Sequence, residues 1–181
     1  MIKKILMLLV LVVVGIVGYA STKPAEFTIQ RTAPMKATPE KIQEQIVDFH
    51  KWSAWSPWEK IDPNLKRTYS GAPSGKGAIY EWEGNNEVGK GRMEIADIVP
   101  ASKVTIKLDF FKPFEAHNTA EFTTAAKGDT TDVNWAMSGK NPLMAKVMCL
   151  FFDMDKMVGK DFERGLANLK TVVEAGAPAA K

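Results

Sequence analysis

Asp155 is the residue of this chain best placed to do proton chemistry. At about 100° per residue it falls within the apolar stripe of a C-terminal helix. A carboxylate facing an apolar interior has a raised pKa and serves as an acid or base. At the stripe's edge it reaches solvent or a lysine instead, and the rarity of buried unpaired acids favours that placement. Asn118 is the second inward polar candidate, suited to orienting a ligand carbonyl or hydroxyl, or to bonding backbone. His117 falls on an outer strand face by alternation. His50 ends a helix beside a tryptophan-rich loop, where capping or packing is the ordinary role.

Familiar catalytic and metal motifs fail. "GKGAIYEW" starts with a glycine pair but lacks the rest of a dinucleotide fingerprint, and a hairpin turn explains it. No histidine pair or carboxylate cluster has metal-ligand spacing, and no Ser-His-Asp arrangement is legible. "DMD" at 153–155 sits mid-helix without the glycine of a calcium loop. The single cysteine, Cys149, excludes an intramolecular disulfide and reads as a small packed hydrophobe. The residues point to no metal and no cofactor, and they favour binding over catalysis.

Charge narrows the partners. Lys3, Lys4 and Lys23 flank the N-terminal apolar run; without them the 24 basic residues become 21, equal to the 21 acidic ones. A neutral body has no electrostatic reason to seek nucleic acid. Residues 5–22 carry no charge. A spanning helix takes roughly 17–25 apolar residues, whereas a signal-peptide core takes about 7–15. Residues 1–23 are therefore a membrane anchor, or a signal cleaved after Ala20, with Gly18 and Ala20 at the small-residue positions. Lys3 and Lys4 stay on the cytoplasmic side in either case, so the body lies outside the cytoplasm, anchored or secreted. Residues 24–174 form one domain, and the small-residue, Pro-containing segment 175–181 reads as a frayed tail.

The elements that position these residues emerge from periodicity. "AEFTIQRTAPM" alternates as a first strand, and "ATPEKIQEQIVDFHKW" has Thr38 as N-cap and Pro39 at the first helical position. Next comes "HKWSAWSPWEKIDP", three of the chain's five tryptophans within seven positions. Six strands with short turns come after it, so they pair antiparallel. The residues 141–174 change period and read as one helix of about 30 residues, capped by Asn141 and Pro142. An antiparallel sheet with one apolar face needs a cover, and this helix has the matching stripe.

Alternation sorts the strand faces. Ala78, Tyr80 and Trp82 point inward together, as do Val104, Ile106, Leu108 and Phe110. Ala116, Asn118, Ala120 and Phe122 form a third inward set, and Val133, Trp135 and Met137 a fourth. The strand within 87–99 does not alternate cleanly, and its phase stays open. Small and large residues opposed on a curved sheet leave space beneath a helix, although each one alone reads more simply as core. The tryptophan loop is a plug and a rim together, with Trp55 or Trp58 nearest a cavity mouth.

These stretches carry a resemblance. "TAPMKATPEKIQEQIVDFHKWSAWSPWEKIDP" is similar to the opening of the helix-grip (START-like) superfamily, in its polyketide cyclase/dehydrase and lipid-transport branch, with Asp48, Trp52, Trp55, Ser56, Pro57 and Trp58 matching. "GAIYEWEGNNEVGKGRMEI" resembles its central hairpin. "MVGKDFERGLANLKTVVE" resembles its closing helix through Gly165, Leu166, Leu169 and Lys170. The match covers about 27–174, and members often carry an N-terminal membrane segment. The resemblance implies an α+β helix-grip fold: a seven-stranded antiparallel curved sheet wrapped around a long C-terminal helix, with two short helices after the first strand. It implies an apolar cavity but no particular reaction.

The expectation is a module that binds or transports a hydrophobic small molecule, such as a lipid, isoprenoid or polyketide-like compound. Trp55, Trp58, Tyr80, Trp82, Phe110, Asn118, Trp135 and Met148 are the expected ligand contacts. The alternatives are a cyclase or dehydratase-type enzyme using Asp155 or Asn118, and a stress or chaperone-like interaction protein with a filled core.

Overall fold

A computed structural model describes residues 2–175. The elements run α1 (Ile2–Ser21), β1 (Glu26–Met35), α2 (Pro39–Ile46), two 3₁₀ turns (Phe49–Ala54 and Pro57–Lys60), β2 (Lys66–Gly71), β3 (Ala78–Glu83), β4 (Lys90–Val99), β5 (Lys103–Lys112), β6 (Ala116–Lys127), β7 (Thr130–Lys140), α3 (Leu143–Met148) and α4 (Met154–Glu174). The tail reading for 176–181 lies outside the described residues.

The seven strands form one antiparallel sheet in the order β1-β7-β6-β5-β4-β3-β2. Since β1 and β2 are its two edges, the chain between them must cross the whole sheet. That crossing carries α2 and the tryptophan loop beneath the concave face. Thr38 caps α2 through its side chain, with Pro39 in the first turn. Asp48 caps the first 3₁₀ turn by accepting from His50 N.

The inward sets deduced from alternation hold. Tyr80, Val104, Ile106, Phe122, Val133 and Trp135 are buried. In β4 the inward positions are Gly91, Met93 and Ile95, after which the register against β5 shifts between Ile95 and Asp97. This bulge adds one residue and reverses the facing of the residues beyond it, which hides the period in the sequence. α4 lays Phe162, Leu166, Leu169 and Val173 against the sheet. Gly165 admits the close approach: a Cβ there would stand 2.7 Å from Trp135 Cζ3 and 3.1 Å from Pro57 Cδ. The continuous core runs from Ile29 to Val173 without α1.

The single 30-residue helix is corrected. The chain breaks over 149–153 into α3 and α4. Asp153 turns its side chain onto Lys156 N at 2.9 Å and starts a new helix, so the helical backbone does not continue through it. Pro142 stands at the N-cap of α3 without a side-chain bond. α3 packs beside α1 rather than under the sheet.

Candidate functional site

Between the sheet, the tryptophan loop and α4 lies a cavity of about 250 Å³. Its deep wall is buried and mostly apolar: Trp52, Tyr80, Met93, Ala120, Trp135 and Phe162. Half-exposed or exposed lining residues mark its mouth: Trp58, Glu87, Val88, Phe110, Val158 and Asp161. The turn 84–89, the end of β5 and the start of α4 meet there. Gly91 makes room for one wall, since a side chain there would collide with the Trp82 ring and the Asp109 carbonyl.

Stacked rings hold the cavity open. Trp135 lies flat on Phe162, centroids 4.4 Å apart and planes 4° apart, and stacks on Phe122 at 4.8 Å. Trp58 meets Trp135 edge-on at 5.6 Å. Trp52 donates its indole N–H to the Ile46 carbonyl at 2.9 Å. Trp135 Nε1 is different: among the described residues it is the one buried side-chain polar atom with no hydrogen-bond partner. Such a donor is rare in a packed interior.

The polar end of the cavity is built on Glu59, which the sequence reading missed. Its carboxylate is buried and accepts from Tyr80 Oη at 2.6 Å and from Arg67 Nε at 2.6 Å. Arg67 also donates to the Glu59 carbonyl at 3.0 Å. Burial, and then the bond to Glu59, push the Tyr80 phenol well above its ordinary range, so it stays neutral and donates. Tyr69 stacks on Tyr80 at 5.2 Å, and His50 stacks on Tyr69 at 4.1 Å. His50 therefore packs at the surface, against the rim of this cluster.

Of the expected contacts, Trp58, Tyr80, Trp82, Phe110 and Trp135 line the cavity. Trp55 does not. It is 1% exposed, donates to the Gln45 carbonyl at 3.3 Å and packs edge-on against Phe122 and Trp135, so it is the plug. Asn118 points inward but folds into the space left by Gly139, with its amide toward Met137 Sδ, and does not itself line the cavity. Met148 sits exposed on α3, because the helix break takes it out of the stripe. Asp155 is exposed and paired with Arg31 at 3.0 Å. That hydrogen bond holds its carboxyl below the usual range, so it is an anion at neutral pH and not a proton donor. His117 lies on the outer face, 2.7 Å from Asp109.

The comparisons with known proteins come to the same architecture. Residues 26–174 match the family model described as polyketide cyclase / dehydrase and lipid transport. No curated protein sequence matches the chain. Protein SA2116 from Staphylococcus aureus superposes with a TM-score of 0.61 at 11% identity, covering 83% of this chain and 94% of its own. The Aha1 dimer from Colwellia psychrerythraea gives 0.60 at 18% identity, with 84% and 99% covered. Protein CV1439 from Chromobacterium violaceum gives 0.58 at 14%, with 81% and 96% covered. At these identities the likeness is one of fold.

Proposed function

The chain belongs to the polyketide cyclase / dehydrase and lipid transport family, and from that premise we propose that it binds a hydrophobic small molecule in the cavity between sheet and α4. The observation that carries this reading is an apolar cavity, open at one end, that the native side chains leave unfilled. A 150 Å³ apolar cavity takes benzene, so about 250 Å³ takes a larger ring system or a short acyl segment. A longer chain would extend through the mouth. Burial of its apolar surface at about 25 cal/mol per Å² supplies the affinity.

The guest is predominantly apolar, as the cavity lining is. Trp58, Tyr80, Trp82, Phe110 and Trp135 are its contacts. Residues 1–23 anchor the chain, and residues 24–174 carry the cavity outside the cytoplasm, since Lys3 and Lys4 hold the N-terminus inside.

The enzymatic alternative rests on one observation. Glu59 and Tyr80 are an acid-base pair that meets the cavity. Both Glu59 oxygens are already engaged, which favours a positioning role in a carrier. Tyr80→Phe separates the two: a carrier keeps its ligand affinity, whereas a cyclase or dehydratase loses turnover. The test of the main reading is extraction of the full chain from its host membrane into native nanodiscs, followed by mass spectrometry. An apolar molecule bound at one per chain is the expected result. A chain that carries no guest, and also takes up no apolar fluorophore, defeats the reading.

A further inference from the structure

We propose that the domain sits directly on the lipid bilayer with its cavity mouth turned toward it, seated by α3, the segment 149–153 and the turn 113–115. The proposal extends the preceding reading and rests on its membrane anchor and its hydrophobic guest. Three observations lead to it.

The tether is short and pinned. Four residues, 22–25, separate α1 from β1. They reach at most about 14 Å. Asn141 N donates to the Ala25 carbonyl at 2.7 Å, and Asn141 Nδ2 to the Pro24 carbonyl at 3.4 Å, so the exit of α1 is fixed to the start of α3. α1 is a 20-residue helix of mean hydropathy 2.3, with 6% of it buried. At about 1.5 Å per residue it matches a hydrocarbon core of about 30 Å. Whatever stands beside Glu26 therefore stands at the membrane surface.

The strand register says which turns stand there. Glu26 of β1 faces Lys140 of β7, Ala116 of β6 faces Phe110 of β5, and Lys112 of β5 faces Lys90 of β4. The turns 84–89 and 113–115 thus share an end of the sheet with the α1 junction. Glu87 and Val88 in the first of these turns, and Phe110 beside the second, line the cavity mouth. The mouth opens at the tethered end.

The exposed apolar residues gather at the same end. Outside α1, eleven large apolar side chains are exposed among the described residues, and all but Tyr69 and Val99 lie here. Phe114 is 74% exposed, Met144 72% and Phe151 66%. Leu143 and Phe152 flank them. An unpartnered apolar face of this kind, continuous with a spanning helix, has the bilayer as its cover. Both charge signs are interspersed and balanced at this end, with Lys23, Lys90, Lys112, Lys140, Lys146 and Lys156 beside Glu26, Glu83, Glu87, Glu115, Asp153 and Asp155. Insertion is therefore apolar in origin and needs no anionic lipid. A guest too long for the cavity would keep its remainder in the acyl region.

The native Cys149 is exposed within this face and is the one cysteine of the chain, which makes it a reporter. The full chain, labelled there with an environment-sensitive fluorophore, is reconstituted in phosphatidylcholine vesicles carrying doxyl-labelled lipid. A second sample carries the label at position 129, in the opposite turn, through Asp129→Cys with Cys149→Ser. The probe at 149 is expected to be quenched severalfold more than the probe at 129. Phe151→Ser with Phe152→Ser should reduce that difference, and high salt should leave it. Equal quenching at both positions overturns the proposal. So does an unquenched Cys149 that cross-links two copies, or a mature native chain beginning after Ala20. N-phenyl-1-naphthylamine binding to residues 24–181 separates this result from the cavity reading. Probe binding without quenching leaves the cavity and removes the docking. Quenching without probe binding does the reverse.

Discussion

Ala120→Leu tests whether the space beneath the sheet is empty. Ala120 is 4% exposed, lines the cavity and stands on β6 between Ile106 of β5 and Met137 of β7. Leucine adds three carbons there. At about 0.8 kcal/mol per buried carbon, filling a void contributes up to about 2.4 kcal/mol. Strain in a packed interior would instead cost about 1–3 kcal/mol. With about 250 Å³ available the added carbons enter free space, so stability is unchanged or raised. The same three carbons displace ligand and remove about 2.4 kcal/mol of its apolar burial, roughly 60-fold in affinity. Residues 24–181 hold the whole core and serve for both assays. Urea unfolding gives the stability, and N-phenyl-1-naphthylamine fluorescence gives the affinity. A lower urea midpoint together with unchanged probe affinity would show a filled interior, and the carrier reading would go with it.

Three further perturbations rest on the same geometry. Glu59→Gln removes the charge that Arg67 and Tyr80 share; a weakened buried network costs about 1–3 kcal/mol in urea unfolding, and the Tyr80 phenol titrates closer to its ordinary range in ultraviolet difference spectra. His117, hydrogen-bonded to Asp109, titrates by NMR above the usual histidine value of about 6.5 and returns toward it in Asp109→Asn. Because its folded pKa is raised, its stabilising contribution is complete below the unfolded value and is lost as pH rises through the folded one. Gly165→Ala should lower the thermal midpoint despite a helix-propensity gain of about 1 kcal/mol, because its Cβ meets Trp135 and Pro57; a raised midpoint would refute the tight seating of α4.

Much of this fold was legible because its strands alternate and its elements succeed one another through short turns. Tyr80, Trp82, Phe110 and Trp135 were found as cavity residues because facing on a strand has period two, which needs no tertiary knowledge. The failures have local causes. Met148 is placed under the sheet by extending one helical period through Asp153, whose side chain ends that period by capping a new helix, whereas Asp155 stands at the exposed edge that the rarity of buried acids favours. β4 hid its phase behind a bulge. Asn118 faces inward as alternation predicts, but the space it takes beside Gly139 belongs to the neighbouring strand and has no signal in its own. Glu59 had no periodic signal, since it lies in a 3₁₀ turn and finds Arg67 and Tyr80 across a fold that the chain closes later.

The tryptophan loop explains why a cavity survives folding. A sheet and a helix with matching apolar faces would ordinarily close until the void disappeared, because every empty volume forfeits dispersion contacts. Here rigid rings set the spacing. Trp55 and Trp52 wedge against Phe122 and Trp135, and Trp135 lies flat on Phe162 of α4, so sheet and helix meet through stacked aromatics beside Gly165. Rings have few rotamers and do not collapse inward as methionines would. On one side of that stack Ala120 places no bulk, Gly91 lets the Trp82 ring lie back against the sheet, and the space remains. Two tryptophans therefore hold the roof, while the third, Trp58, is left half-exposed at the opening. Replacing Trp52 or Trp55 should collapse the cavity and destabilise the domain together, by about 3–5 kcal/mol. Trp58→Ala should weaken probe binding with a much smaller effect on the urea midpoint, and equal effects of all three on stability would show that the loop has only a structural role.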